Sequence, residues 1–413
     1  MAQYIKTIKV NNLYHLKGFE IPVGNEKSPH LLITGKNGSG KTILLKAVDN
    51  FLNKVKGDQT LDFLSYRKHA SFWRDKWEKA STPEEKAKAN MQTDLWVKKV
   101  EDMFGHIELE LQDVAGMVEK HSRGDFIFAF FDAHRKCDLK VPKNPTKPAI
   151  NPKADTNVTS TSQLLYFLSD LKIQESLARN EGGTEDADRI KDWFTSFENI
   201  LKQIFQDKNL KLKFNYRDYS FLIQNEEKEF HFTEMSDGYT ALIDIVADLI
   251  MKMQTEGGVT RTYEKEGIVM IDEIETHLHL ELQKNVMPLL TALFPNIQFI
   301  VTTHSPFVLS SMKNAMAYDL EHREPVIELT QYSYESLAEG YFGVTNESGY
   351  IQDQLSLMEE LLKNDNLMDS QKNDLKCMIT DFEKIPSAVA PTVVGQYRKL
   401  RNDYFERIKE LGI

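Results

Sequence analysis

Two periodicities divide this chain. Tyr4-Ile-Lys-Thr-Ile-Lys-Val10 alternates apolar and polar residues, the pattern of a half-buried strand, and Gly18-Phe-Glu-Ile-Pro-Val23 is its expected hairpin partner. Leu31-Leu-Ile-Thr34 is a short apolar strand that runs through a Gly-rich segment into Ile43-Leu-Leu-Lys-Ala-Val48, which has helical spacing. His106-Ile-Glu-Leu-Glu-Leu111 alternates and Phe126-Ile-Phe-Ala-Phe-Phe131 is wholly apolar; the pair predicts a hairpin in a β-subdomain. Helical stretches follow at about 163–178 and 188–206, then alternating strands at 210–214 and 219–223. An apolar helix runs to about Met253. Gly267 to Ile271 and Asn296 to Val301 read as buried parallel strands, with a helix over 278–293 between them.

Other segments carry weaker patterns. Residues 51 to about 100 predict a helical insertion; Trp73 and Trp77 share a helix face and are expected, with Trp96, to pack on the main body. A partner or nucleic-acid surface is the alternative, given Arg67, Lys68, Arg74, Lys76 and Lys79. Residues 137–162 hold Pro142, Pro145, Pro148 and Pro152 among Lys140, Lys143, Lys147 and Lys153, the composition of a linker or surface loop. The tail from about 350 is helical and charged, with Pro386 and Pro391 marking a break. The expected division is 1–50 and 211–330 as two lobes of one core, 51–210 as β-subdomain plus insertion, and 331–413 as a helical region.

The 413 residues suit one large or two modest domains. Lys and Arg total 51 against 62 Asp and Glu, a net charge of −11, so nothing global supports nucleic acid. Cys137 and Cys377 are the only cysteines, which suits a reducing cytosol and excludes a four-cysteine zinc site. No signal peptide and no long apolar run is visible, so a cytoplasmic location without a membrane span is expected.

The chemistry concentrates in four places. Gly35-Lys36-Asn37-Gly38-Ser39-Gly40-Lys41-Thr42 is Gly-x4-Gly-Lys-Thr between a strand and a helix. Glycines let backbone amides turn inward around an anion, Lys41 reaches the β- and γ-phosphates, and the Thr42 hydroxyl suits Mg2+. The apolar strand before Asp272 ends directly on Asp272-Glu273. Asp272 would reach a magnesium ion. Glu273, which strand alternation points elsewhere, would polarise a water. Ser236-Asp237-Gly238 opens the apolar helix, where Ser236 either presents its hydroxyl to a phosphate or caps the helix. Thr302-Thr303-His304-Ser305-Pro306 ends the last buried strand; His304 is a γ-phosphate partner or a structural histidine. Arg135 is a nucleotide sensor or an ordinary loop arginine. His277 and His279 lack a third soft ligand, so no metal is expected there.

In this order the motifs resemble the ABC-type ATPase superfamily, in its soluble RecF-, SMC- and overcoming-lysogenization-defect-like branch. The resemblance implies an α/β P-loop ATPase head with an antiparallel β-subdomain. It makes Gly35 to Thr42 the nucleotide-binding loop, Thr42 and Asp272 the magnesium ligands, and Glu273 the catalytic carboxylate, acting with Lys41 and His304. Ser236, Asp237 and Gly238 become a signature that acts on ATP held by a second protomer, so ATP-bound dimers or higher even-numbered oligomers are implied. Glu275 to His279 would form a D-loop at the dimer seam. Met-Ser-Asp-Gly-Tyr departs from the transporter signature, and no Q-loop glutamine fits well, Gln112 lying one strand early. The insertion is too short for SMC coiled coils, and too little chain follows His304 for a Toprim nuclease domain. The layout resembles the ATPase subunit of Septu-type anti-phage systems, which implies a separate effector such as a His-Asn-His nuclease or toxin. A DNA-repair ATPase that binds DNA through its dimer cleft is the alternative.

Overall fold

The computed structural model describes residues 4–23, 29–57, 59–135, 138–144, 146–149, 156, 159–226, 228–254, 263–326, 349–364, 366–384 and 391–412. Cys137, Pro145, Pro152, Lys153 and Pro386 lie outside them. The chain forms two compact units, 1–337 and 338–413.

In the first unit, β1 (Ile5–Leu13) buries Ile5, Ile8 and Val10 on one face and pairs antiparallel with β2 (Leu16–Pro22). β3 (His30–Thr34) is buried throughout and feeds the Gly-rich loop and α1 (Lys41–Lys56). That helix turns Leu44, Leu45, Val48, Phe51, Leu52 and Val55 inward at helical spacing. Each such side chain contributes roughly 1.5–3 kcal/mol by leaving water. α2 (Thr60–Lys79) and α3 (Pro83–Phe104) form a helical hairpin, with Thr82 and Glu85 closing a capping box ahead of α3. Phe51, Phe63 and Phe104 pin the hairpin to α1, with ring centroids 4.9 to 5.5 Å apart.

Trp73 and Trp77 do not pack on the main body as expected. Beyond Ala70 the α2 surface is exposed: Trp73 is half-buried and Trp77 is 44% exposed, each under a lysine, Lys76 and Lys86. Trp96 stays within the hairpin, stacked on His69. β4 (Ile107–Leu111) returns to β1, completing a three-stranded sheet in the order β2-β1-β4.

The predicted hairpin of the strands near 107 and 126 does not form. α4 (Val114–Arg123) separates them, and β5 (Phe126–Phe131) joins a different sheet. The residues explain this. The alternating β4 has one apolar face to cover, whereas β5 is buried at every position and needs cover on both.

α5 (Leu164–Asn180) and α6 (Thr184–Phe205) precede an antiparallel meander of β6 (Lys211–Asn215), β7 (Ser220–Gln224) and β8 (Glu229–His231). Then come α7 (Asp237–Met253), β9 (Glu266–Ile271), α8 (Leu280–Leu293), β10 (Ile297–Thr302), α9 (Pro306–Leu309), β11 (Ala315–Asp319) and β12 (Glu324–Val326). The central sheet has the order β12-β11-β3-β10-β9-β5 and is parallel except for β12.

One buried polar residue ties the two N-terminal sheets together. Gln298, fully buried in β10, accepts from the amides of Tyr4 at 3.2 Å and Ile5 at 2.8 Å. It donates to the carbonyls of Ile5 at 3.0 Å and Pro29 at 2.8 Å. Its four hydrogen-bonding positions are thereby used.

The second unit contains α10 (Gly349–Lys363), α11 (Asp369–Glu383), α12 (Pro391–Asp403) and α13 (Phe405–Glu410) around Met358, Leu362, Leu375 and Ile408. Among the described residues, no helix is long and apolar enough to cross a membrane.

Candidate functional site

The loop between β3 and α1 is built from residues that tolerate unusual backbone. Gly35, Gly38 and Gly40 have φ of 136°, 84° and 98°. A Cβ on Gly40 would lie 3.0 Å from Leu16 and 3.1 Å from His15, so the β1–β2 hairpin braces the loop from outside. Lys36, Asn37 and Gly38 face solvent, and Lys36 pairs with Glu321 at 3.0 Å.

Lys41 points into the loop. Its Nζ donates to the carbonyls of Gly35 at 2.8 Å and Lys36 at 3.1 Å, and sits 3.5 Å from Ser39 Oγ. The start of α1 has no side-chain cap and no acid in its first turn, so its amides are left to an anion. Thr42, half-buried, sits in that first turn.

The opposite wall begins where β9 stops. The Asp272 amide still donates to the Phe131 carbonyl at 2.8 Å, and its side chain is 1% exposed. Thr302, at the end of the adjacent β10, joins the two acids through one hydroxyl. Its Oγ1 donates to Asp272 Oδ1 at 2.6 Å and accepts from the Glu273 amide at 2.8 Å.

Glu273 is not on the strand, as alternation had implied; it lies in a left-handed turn with φ 43°. Its direction is therefore set by the turn. Arg135 holds that turn, donating to the carbonyls of Asp272, Glu273 and Ile274 at 2.9, 3.1 and 3.3 Å. Of the two alternatives open for Arg135, neither describes this clamp.

Glu275 faces the other way. It accepts from Thr303 Oγ1 at 2.7 Å and from the His304 amide, and burial raises its pKa despite both bonds. The half-buried His304 ring has a lowered pKa, from burial first and the nearby Lys41 charge second, opposed by Glu273 and Asp272. Burial likewise lowers the Lys41 pKa, and Glu273, Glu275, Asp272 and Asp319 oppose it. Lys41, Asp272, Glu273 and His304 thus follow the carboxyl ends of β3, β9 and β10. Ligands of open α/β sheets bind at such ends.

Mg2+ would take hard oxygen donors here, the Thr42 hydroxyl and the Asp272 carboxylate. Among the described residues no three His, Cys, Asp or Glu gather as a metal cage. Two protein oxygens fit Mg2+, which keeps most of its shell as water and phosphate oxygen. His279 uses Nδ1 to cap α8, accepting from the Leu282 amide at 3.3 Å.

Ser236 precedes α7 but its hydroxyl makes no cap bond; it and Asp237 are exposed. Gly238 is buried, and a Cβ there would lie 2.8 Å from the His277 carbonyl, so α7 starts against the turn that follows Glu273. Among the described residues no hydrogen bond or ion pair joins Ser236, Asp237 or Gly238 to the phosphate loop. Sequence reasoning missed Thr302 as a bridge and the tie from Glu275 to His304. Their signal was present: a Thr-Thr pair at the end of a buried strand beside one ending in acids.

A family model described as "AAA domain, putative AbiEii toxin, Type IV TA system" matches residues 119–310. A Septu protein PtuA from Bacillus mycoides (strain KBAB4) is 29% identical over 204 residues, 44% of this chain and 28% of that protein. The chain resembles the Septu ATPases. A "Retron Ec83 probable ATPase" from Escherichia coli is 41% identical over 76 residues, 18% of this chain and 14% of that protein. The matches thus span less than a third of either relative. A solved SMC head bound to the C-winged helix domain of ScpA aligns at 14% identity with a TM-score of 0.39, covering 76% of this chain and 94% of that one. The mostly parallel sheet, phosphate loop, antiparallel β-subdomain and helical insertion have the architecture of a P-loop ATPase head.

Proposed function

We propose that this chain binds Mg2+ and ATP and hydrolyses the β–γ bond, and that the cycle controls a separate effector in cytoplasmic anti-phage defence. One observation carries the enzymatic part: the loop that turns Lys41 inward follows β3, next to β10, whose Thr302 hydroxyl joins Asp272 and Glu273 at the end of β9. Lys41 and the amides of Gly35 to Thr42 hold the phosphates. Thr42 and Asp272 hold Mg2+, which when bound offsets negative charge on the phosphate oxygens. Glu273 accepts a proton from the attacking water, oxygen bonds to the γ-phosphorus, and ADP leaves with the bonding electron pair. His304, neutral because burial and Lys41 keep its pKa low, donates a hydrogen bond to the γ-phosphate.

Ser236 and Asp237 face solvent at the start of α7, and among the described residues no hydrogen bond or ion pair joins them to their own phosphate loop. This supports a homodimer, or a higher even-numbered oligomer, in which they close on the partner protomer's ATP. The relatives' names, Septu and retron, support the defence setting; an effector such as a His-Asn-His nuclease or a toxin is what the resemblance to Septu-type ATPase subunits implies.

Native mass spectrometry of the chain purified from its own host, in ATP and in ADP, tests the partner. A stoichiometric nuclease or toxin on an even-numbered oligomer is expected. A partner-free dimer that forms only in ATP and retains DNA would replace this reading with the repair-type clamp.

A further inference from the structure

Arg135 lies four residues beyond the end of β5, half-buried against the turn that begins at Asp272. Nη1 donates to the Asp272 carbonyl, and Nη2 to those of Glu273 and Ile274. A planar fork that reaches three consecutive carbonyls requires their peptide units to converge. The middle residue is Glu273, whose φ of 43° is unfavourable for a residue that carries a Cβ. The clamp and the strained residue therefore coincide. Nη1 also reaches the Asp132 carbonyl at 3.4 Å, anchoring the clamp to the end of β5. Among the described residues the guanidinium makes no hydrogen bond to the phosphate loop.

A guanidinium drawn partly out of water is helped by countercharge. The largest contribution comes from Asp244, ahead of Glu275, Asp272 and Asp132. Asp244 is 2% exposed, and among the described residues its Oδ1 accepts no hydrogen bond. It shares with Arg135 a cleft of about 520 Å³, walled also by Lys46, Asp132 and His134. Asp244 sits on α7, the helix that opens with Ser236-Asp237-Gly238. That helix approaches the turn after Glu273 at Gly238, which lies against the His277 carbonyl, and carries Asp244 into the cleft that Arg135 also lines.

We propose that Arg135 is a positioning residue for ATP hydrolysis, holding Asp272 to Ile274 in the conformation that aims the Glu273 carboxylate, with Asp244 as the countercharge through which α7 acts on that turn. This rests on the reading of Glu273 as the catalytic carboxylate. The signature helix and the catalytic turn then form one mechanical unit, and closure of a partner protomer on Ser236 reaches Glu273 through α7.

The test uses the full chain and the variants R135K, R135A, D244N and E273Q. Steady-state ATP hydrolysis is measured alongside equilibrium binding of a fluorescent ATP analogue with Mg2+. R135K keeps the charge and loses the fork, so kcat is expected to fall by up to about 10²-fold while analogue affinity stays at the wild-type value. D244N, close in shape to wild type, is expected to lower kcat less, and to add little in the R135K background. Wild-type kcat in both R135K and D244N would overturn the proposal. So would a loss of analogue affinity in proportion to kcat, which is what general misfolding produces. Should R135A not fold, R135K and D244N decide alone. E273Q separates the two readings: full turnover in E273Q sinks the catalytic assignment and this proposal with it. Lost turnover in E273Q beside wild-type R135K and D244N sinks the role of Arg135 alone.

Discussion

Replacing Thr302 with valine keeps the shape of a fully buried side chain and removes one oxygen. That oxygen donates to Asp272 at 2.6 Å and accepts from the Glu273 amide at 2.8 Å. A hydrogen bond to an ionised carboxylate contributes about 1.5–3 kcal/mol and a neutral one about 0.5–1.5 kcal/mol, so the valine costs roughly 2–4.5 kcal/mol in total. Part falls on folding and part on the placement of the two acids. If about 2 kcal/mol falls on the transition state, turnover drops roughly 30-fold. Thr302→Ser keeps both bonds and is expected to stay near wild type. Steady-state ATP hydrolysis and urea unfolding of the two variants measure both parts. Wild-type turnover in Thr302→Val would refute the bridge. Equal damage in Thr302→Ser would assign the effect to the lost methyl group instead.

Gly238→Ala places a Cβ 2.8 Å from the His277 carbonyl, a backbone atom that cannot rotate away. The overpacking is expected to cost about 1–3 kcal/mol in urea unfolding, against the roughly 1 kcal/mol an alanine gains inside a helix. Gln298→Met strands the amides of Tyr4 and Ile5 and the carbonyls of Ile5 and Pro29. It is expected to cost at least about 3 kcal/mol, with faster hydrogen exchange at Ile5. The pH dependence holds two opposed buried groups. Burial raises Asp244 to about 6, so its contribution to stability is lost as pH rises from about 4 to about 6. Burial lowers His30 to about 4, so its contribution is lost as pH falls from 6.5 to about 4. The two nearly cancel between about pH 4 and 6; Asp244→Asn is expected to expose a rise of about 1.4 kcal/mol per pH unit in urea unfolding, and an unchanged slope would contradict it.

The fold was legible where one local pattern decides it. The Gly-rich loop, the apolar strands ending at Asp272 and Thr302, and the helix after Gly238 all appear where their residues predict. Partner choice was not legible. Phe126 to Phe131 is an obvious strand, but that it pairs with β9 and not with β4 follows only once α4 is seen to separate the two. The exposed Trp77 shows the same limit: helical spacing aligns it with Trp73 but does not say how far α2 outruns the core. At the site, motifs name residues that touch nucleotide, whereas Arg135 and Thr302 act through backbone atoms. Backbone contacts place little demand on neighbouring sequence. Thr302 could have been suspected, because a hydroxyl at a buried strand end must find a partner. Nothing in Asp132-Ala-His-Arg135 announces three carbonyls in the turn after another strand.

The central claim is that Glu273 completes an ATP site closed by a second copy of the chain. The most direct measurement is the mass of Glu273→Gln by light scattering after size exclusion, in Mg2+-ATP and in Mg2+-ADP, with phosphate release from the same preparation. The account predicts lost turnover and an even-numbered oligomer stable in ATP but not in ADP. It predicts that Lys41→Ala in the same background abolishes that difference. Wild-type phosphate release from Glu273→Gln, or an identical mass in both nucleotides, would contradict it.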